Sequence, residues 1–426
     1  MRRFGTAIHA AFSSIVFFFF DLIDAVLCIV YEFVDEILEG KSRGCYCKTS
    51  PLHTTGENEC SETLFRRKNI FREMWFLGYA RKFKSKLSQK MRKSKIHESV
   101  VNRWSDCGCQ SCNSWTKNED ENLHVVVKDS TSQETEDSVK GSFENVIFIH
   151  GFMGSSHFWT ETVFEHIKKD RYRLLAVDLL GFGESPKPRD SLYTLRDHVE
   201  TIDRSVIKPY ELDSFHVVAH SMGCLVALAL AAKHSNIVKS VTLVAPPYFP
   251  SSNEESVLNR IAPKRLWPPL AFGTAVMSWY EHIGRCVCFI VCKHHMIWEW
   301  LIKLCTGKRE TPWKIKDITR HTHHSAWHSM HNVICDGSKF ADEHLGTIIN
   351  SSVEIHLIQG DRDEIVPSHC SSNMKRNFPA VEVDIVAGAN HDSMISGTRE
   401  EFAEKLASIW CSRRTVMDAK IGTQAR

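Results

Sequence analysis

The run Val217-Val218-Ala219-His220-Ser221-Met222-Gly223-Cys224-Leu225 constrains this chain more than any other part of it. A β-branched strand end passes within a few small residues into an Ala- and Leu-rich helix. So sharp a strand-to-helix turn holds its central residue in a strained conformation, and bulky neighbours would clash with adjoining elements. The usual pattern for such a turn is Gly-x-Ser-x-Gly. Here Ala219 replaces the first glycine, and alanine is small enough to preserve the close approach. Ser221 is the candidate nucleophile.

The surrounding sequence supplies the sheet that such a turn requires. Val146 to Ile149 and Leu174 to Val177 are short β-branched and aliphatic runs, as are Phe215 to Ala219, Ser240 to Val244 and Ile355 to Ile358. Each ends at Gly, Pro or a polar turn, and helical stretches such as Leu225 to Lys233 lie between them. Continuous apolar runs read as strands buried on both faces. The alternation implies an α/β fold with a doubly wound, mostly parallel sheet, whose functional residues gather at the carboxyl ends of the strands.

Two further loops follow Ser221 in the order that nucleophile, acid and histidine require. Gln359 to Pro367 follows one strand and carries Asp361 and Asp363, and Ala387 to Asp392 follows Val381 to Val386 and carries His391. An imidazole can take the serine proton and return it to a leaving group while a carboxylate fixes its tautomer. Asp363 suits that role better than Asp361 because it lies farther into its loop, before Ile365, Val366 and Pro367. His150-Gly151-Phe152-Met153-Gly154-Ser155 follows the first strand of this region. The amides of Phe152 and Met222 are the candidate oxyanion donors, with His150 and Gly151 ordering the loop.

The flanks read differently. Basic and acidic residues nearly balance, at 53 against 51, so charge gives no reason to expect nucleic acid as a partner. Met1-Arg2-Arg3 precedes an apolar run from Ala7 to Phe20, then Asp21 and Asp24, then Ala25 to Tyr31. Residues 1–40 therefore read as a signal or membrane-anchor segment, with a soluble amphipathic helix as the alternative. Residues 41–142 read as a Cys-rich, basic, largely irregular linker. Its stretch from Phe65 to Lys95 suits either an anionic membrane surface or a solvated basic helix. Residues 143–245 and 347–412 form the expected core, 246–346 a helical lid insertion and 413–426 a C-terminal tail.

Cys107, Cys109 and Cys112 lack a second pair at finger-like spacing, and His324, His328 and His331 lack a carboxylate or cysteine to complete a set. No metal and no cofactor is expected on that basis. The 15 cysteines suit disulfides if the chain enters an oxidising compartment, where Asn350-Ser351-Ser352 would be a glycosylation sequon.

The Ser221 turn, His150-Gly151, Asp178-Leu179-Leu180-Gly181-Phe182-Gly183-Glu184-Ser185, the Asp363 loop and His391 together resemble the α/β-hydrolase superfamily over roughly residues 143–412. Ser185-Pro186-Lys187-Pro188, the run from His321 to His328, and the apolar N-terminus before a Cys-rich linker resemble more narrowly the plant BODYGUARD family. That resemblance implies a lysophospholipase-like serine esterase, or an acyltransferase, that acts on lipid or hydroxy-fatty-acid esters. It also implies a place in the secretory pathway, at the epidermal cell wall or plasma membrane, and a part in cuticle formation. Its serine, acid and histidine fall on Ser221, Asp363 and His391. A hydrolase-fold receptor or scaffold without turnover is the competing class. The insertion carries Trp267, Phe272, Met277, Trp279, Phe289, Trp298, Trp300 and Trp313, which are expected to line an acyl tunnel or to pack as the lid's own core.

Overall fold

A computed structural model of the chain describes residues 2–39, 60–64, 69, 71, 103–116, 122–129, 143–168, 171–250 and 257–424. Seven strands, β1 (Val125–Lys128), β2 (Glu144–Ile149), β3 (Tyr172–Val177), β4 (Phe215–His220), β5 (Val238–Val244), β6 (Glu354–Gly360) and β7 (Glu382–Val386), form one sheet. Its order is β1-β3-β2-β4-β5-β6-β7, and every pairing is parallel except that of β1 with β3. Helices α1 (Arg2–Glu39), α2 (Gln110–Thr116), α3 (Met222–Lys233), α4 (Pro269–Trp279), α5 (Glu281–Val291), α6 (His295–Thr306), α7 (Trp313–Thr319), α8 (Ala341–Asn350) and α9 (Arg399–Gln424) frame the sheet and the lid.

The central strands are apolar on both sides because helices cover both faces. Successive side chains alternate, and β2 shows the division. Phe148 packs with Trp159, Phe164 and Trp410 on one face. Its neighbour Ile149 meets the start of α3 on the other. Trp410 of α9 closes its face over Tyr172 and His216, while α8 packs along α3.

Three boundaries differ from the sequence reading. β1 lies inside the stretch read as irregular linker; three valines flanked by polar residues make too short a run to stand out, and the free edge of β3 gives them a partner. α8 begins inside the range assigned to the lid but belongs with the core. α9 runs unbroken through residue 412 to Gln424. Most of the basic stretch from Phe65 to Lys95 lies outside the described residues, as do Cys45 and Cys47.

The N-terminal segment is one unbroken helix, and its acids do not interrupt it. Asp24 is buried and accepts the amide of His282 at 2.9 Å and that of Ile283 at 3.4 Å, occupying the first turn of α5 where amide donors lack helical partners. Phe17, Ala25, Cys28 and Tyr31 are buried, with Phe17 stacked on Tyr280 of the lid. The opposite side of α1 leaves Phe12, Phe18, Phe19 and Ile23 exposed. α1 is long and apolar enough to cross a membrane, yet one side of it is docked on the lid.

Candidate active site

β4 enters α3 through Ser221, whose backbone stands at φ 51° and ψ −123°. That left-handed conformation costs a non-glycine residue about 1–3 kcal/mol. The surroundings hold it in place: the Ser221 amide donates to Val244 O at 2.8 Å. A Cβ on Gly223 would stand 2.4 Å from His150 O and 2.9 Å from Ile149 O, so only glycine lets α3 start this close to the end of β2. A Cβ on Gly151 would come within 3.1 Å of Ser221 Cβ, which puts the loop after β2 against the serine.

Within that loop the His150 ring works as a brace. Its Nε2 accepts the amide of Leu179 at 2.9 Å, so Nδ1 carries the proton and donates to Gly151 O at 2.7 Å. Burial holds its pKa below the ordinary histidine value, in keeping with a neutral ring. Asp178 braces the same loop from the end of β3. Its two carboxylate oxygens accept the amides of Ser156 at 2.5 Å and Glu184 at 2.7 Å.

The two acids in the loop after β6 take different partners. Asp363 Oδ2 lies 2.7 Å from Nδ1 of His391, and Oδ1 accepts the amides of Ile365 and Val366, each at 2.9 Å. Burial pushes the Asp363 carboxyl up, but the hydrogen bond and charge of His391, with the two amides, outweigh it and hold the group below its ordinary value. Asp361 is exposed and accepts the Gly388 amide at 2.6 Å. It orders the β7 loop rather than the imidazole.

Two residues near the serine carried no signal in the sequence. His220, the unspecified position before Ser221, stacks on Phe158 and donates from Nε2 to His391 O at 3.0 Å. Its ring centroid is 4.7 Å from that of His391, so it ties the histidine loop to the elbow. Burial, and after it the charge of His391, lower its pKa to about 3; it stays neutral as a fixed donor. Asp317 of α7 accepts the hydroxyl of Ser155 at 2.7 Å, which anchors the lid on the loop after β2. Neither contact is local in sequence.

His324 and His328 lie ring to ring at 4.2 Å, but His331 turns away from them to another partner. His324 Nε2 is 3.0 Å from Ser191 O, and His331 Nδ1 is 2.8 Å from Thr63 Oγ1. The lid tryptophans differ from expectation, since Trp267, Trp298 and Trp300 are exposed on its outside. No two of the described cysteines form a disulfide. Two other groups of cysteine and histidine lie close enough to hold a metal ion; His295 and His321 enter them from positions that the cysteine spacing could not indicate.

The family model described as alpha/beta hydrolase fold matches residues 144–275. The chain is 82% identical over 414 residues to "Probable lysophospholipase BODYGUARD 4" of Arabidopsis thaliana, covering 96% of this chain and 99% of that one. It is 50% identical over 429 residues to "Probable lysophospholipase BODYGUARD 5" of the same plant, covering 96% of each. Identity at that level over nearly the whole length leaves no room for a different fold or a borrowed domain: this chain belongs to the BODYGUARD family and has the α/β-hydrolase fold.

Proposed function

We propose that the chain is a serine hydrolase of lipid esters, with Ser221 as nucleophile, His391 as general base and acid, and Asp363 as the carboxylate that orients His391. One relationship supports this most: the 2.7 Å contact between His391 Nδ1 and Asp363 Oδ2, held by His220 next to a serine in a strained elbow. With Nδ1–H donated to Asp363, the other ring nitrogen is left to take the Ser221 proton. Ser221 Oγ then adds to the ester carbonyl. His391 returns the proton to the departing alkoxide, and water brings the same cycle to bear on the acyl-enzyme; an alcohol in place of water makes the reaction an acyl transfer. The amides of Phe152 and Met222 are the proposed oxyanion donors, each loss costing about 3–4 kcal/mol of transition-state stabilisation.

Lysophospholipids and hydroxy-fatty-acid esters are the proposed substrates, supported by the names of the relatives and by an apolar exterior that suits a lipid surface. The outer side of α1 and the exposed Trp267, Ile290, Trp298, Trp300 and Leu304 of the lid would lie in the bilayer interface, with α1 retained on the lid. A bilayer face of this kind, the N-terminal helix and exposed Asn350 fit a place in the secretory pathway and at the cell wall, where such an esterase would contribute to cuticle formation.

The test is a fluorophosphonate probe together with fatty-acid release from lysophosphatidylcholine in vesicles. Wild type is expected to label and to release fatty acid, and Ser221→Ala to do neither. Equal labelling of both proteins would sink the assignment of the nucleophile. A folded wild type that neither labels nor hydrolyses would favour the receptor reading.

A further inference from the structure

Two groups of sulfur and imidazole donors stand apart from the elbow, and the proposed hydrolysis uses neither. In the first, Cys107, Cys109 and Cys112 come from the turn that opens α2, and His295 comes from the first turn of α6. Their four ligand atoms all lie within 4.8 Å of one another. Nε2 of His295 is 3.5 Å from Sγ of Cys109 and 3.5 Å from Sγ of Cys112. A single N–H aims well at one sulfur, so two equal contacts make poor hydrogen bonds.

The other ring nitrogen makes the argument sharper. Nδ1 of His295 is 2.9 Å from Glu299 Oε1. An ionised carboxylate only accepts, so Nδ1 carries the proton. A ring with one proton then turns the Nε2 lone pair toward the sulfurs, which suits a cation between them. Carboxylate-bound histidines of this kind are typical of zinc ligands. Zinc bonds of about 2.3 Å to sulfur and about 2.0 Å to nitrogen, set at tetrahedral angles, put the two ligand atoms roughly 3.5 Å apart. That is the separation found.

The second group repeats the geometry independently. Cys288 of α5 and Cys292 at its C-terminal cap are one turn apart, and Nε2 of His321 is 3.6 Å from the sulfur of each. All three residues are buried. The ligand atoms of Cys288, Cys292 and His321 all lie within 4.8 Å of one another, and His323 is buried beside them without joining the group.

We propose that both groups are zinc sites, one a tetrahedral set formed by Cys107, Cys109, Cys112 and His295, the other held by Cys288, Cys292 and His321, with a water or a moved His323 as its fourth ligand. Binding releases the thiol protons to solvent and leaves thiolates on the metal. Four protein ligands leave the first site no open position, and burial closes the second to substrate, so both sites are structural. The first fastens the segment before the sheet to α6. The second fastens α5 to the helix His323–His328, whose Ser325 donates to Gly181 O at 2.9 Å. The first thus joins the lid to the segment before the sheet, and the second braces the lid internally.

The test is elemental analysis of the full chain purified without chelator, with cobalt replacing zinc in a parallel preparation. About two zinc ions per chain are expected, about one after His295→Gln or His321→Gln, and about two again in His295→Cys, where a thiolate replaces the imidazole. The cobalt protein should show thiolate charge-transfer absorption and intense tetrahedral d–d bands. Zinc retained in His295→Gln but lost in His321→Gln would overturn the first site and keep the second, and the converse pattern would do the reverse. A zinc-free chain, a disulfide mapped within either group, or a cobalt spectrum with no sulfur band would overturn both, and the wild-type spectrum decides even where a variant fails to fold.

Discussion

Arg285 of α5 meets Asp35 of α1 through both terminal nitrogens, Nη1 to Oδ2 at 2.8 Å and Nη2 to Oδ1 at 2.7 Å, and the pair is buried. Trp104 adds its indole N–H to Asp35 Oδ1 at 2.5 Å. Asp35→Ala is expected to lower stability by about 3–5 kcal/mol, the usual result of removing one partner from a buried pair. Arg285→Met combined with Asp35→Ala should recover most of that loss. Urea unfolding of the four proteins makes the comparison, and a single-variant loss under about 1 kcal/mol would show that α1 does not depend on this pair.

The two loop acids offer a sharper contrast. Asp363→Asn keeps the size of the side chain but removes the charge that fixes His391, and kcat is expected to fall about 10⁴-fold with KM little changed. Asp361→Asn disturbs only the contact to the Gly388 amide and should stay within about tenfold of wild type. A reversed order in steady-state kinetics would move the orienting role to Asp361.

The sheet and the sharp turn at Ser221 were legible in the sequence because each rests on a local pattern. Short β-branched runs mark β2 to β6, and the small residues around Ser221 mark the turn. What the sequence could not give is contact between distant segments. Asp24 reads as a break in an apolar run, since nothing near it in the chain names the α5 amides as its partners, and nothing in the sequence pairs Asp35 with Arg285. Likewise Cys107, Cys109 and Cys112 looked incomplete because His295 arrives from the lid. The lid tryptophans misled for a related reason: an aromatic side chain is equally apolar whether it faces a tunnel, a core or a bilayer.

That outward face gives a prediction of its own. Trp298 and Trp300 are 40% and 60% exposed, and Phe18 and Phe19 of α1 are 48% and 55% exposed. Interfacial aromatic residues favour the bilayer boundary. Replacing Trp298 and Trp300 by serine should weaken binding to phosphatidylcholine vesicles at least tenfold in a flotation assay. Hydrolysis of a soluble short-chain ester should be retained. Unchanged flotation would mean that the lid exterior does not meet lipid.

Asp317 gives the chain a pH dependence of unusual sign. Burial pushes its carboxyl up to about 7, with the Ser155 hydrogen bond opposing and the Asp178 charge adding to the rise; His157 Nδ1 stands 3.7 Å away. One carboxyl oxygen, Oδ2, is buried without a hydrogen-bond partner, so ionisation there is penalised. Between the ordinary value of 3.8 and about 7 the unfolded chain has given up this proton while the folded chain keeps it. Stability contributed by the group is therefore complete below about 4 and is lost as pH rises through 7, by at most roughly 4 kcal/mol. Because Asp317 holds the lid to Ser155, the loosening should centre on α7. Asp317→Asn keeps a neutral acceptor for Ser155 at every pH. It should be more stable than wild type at pH 8 and equal to it at pH 4, and hydrogen exchange in α7 should lose its rise between those values. A wild type whose α7 exchange, corrected for the intrinsic rate, is flat across neutral pH would show that Asp317 is already ionised in the folded chain.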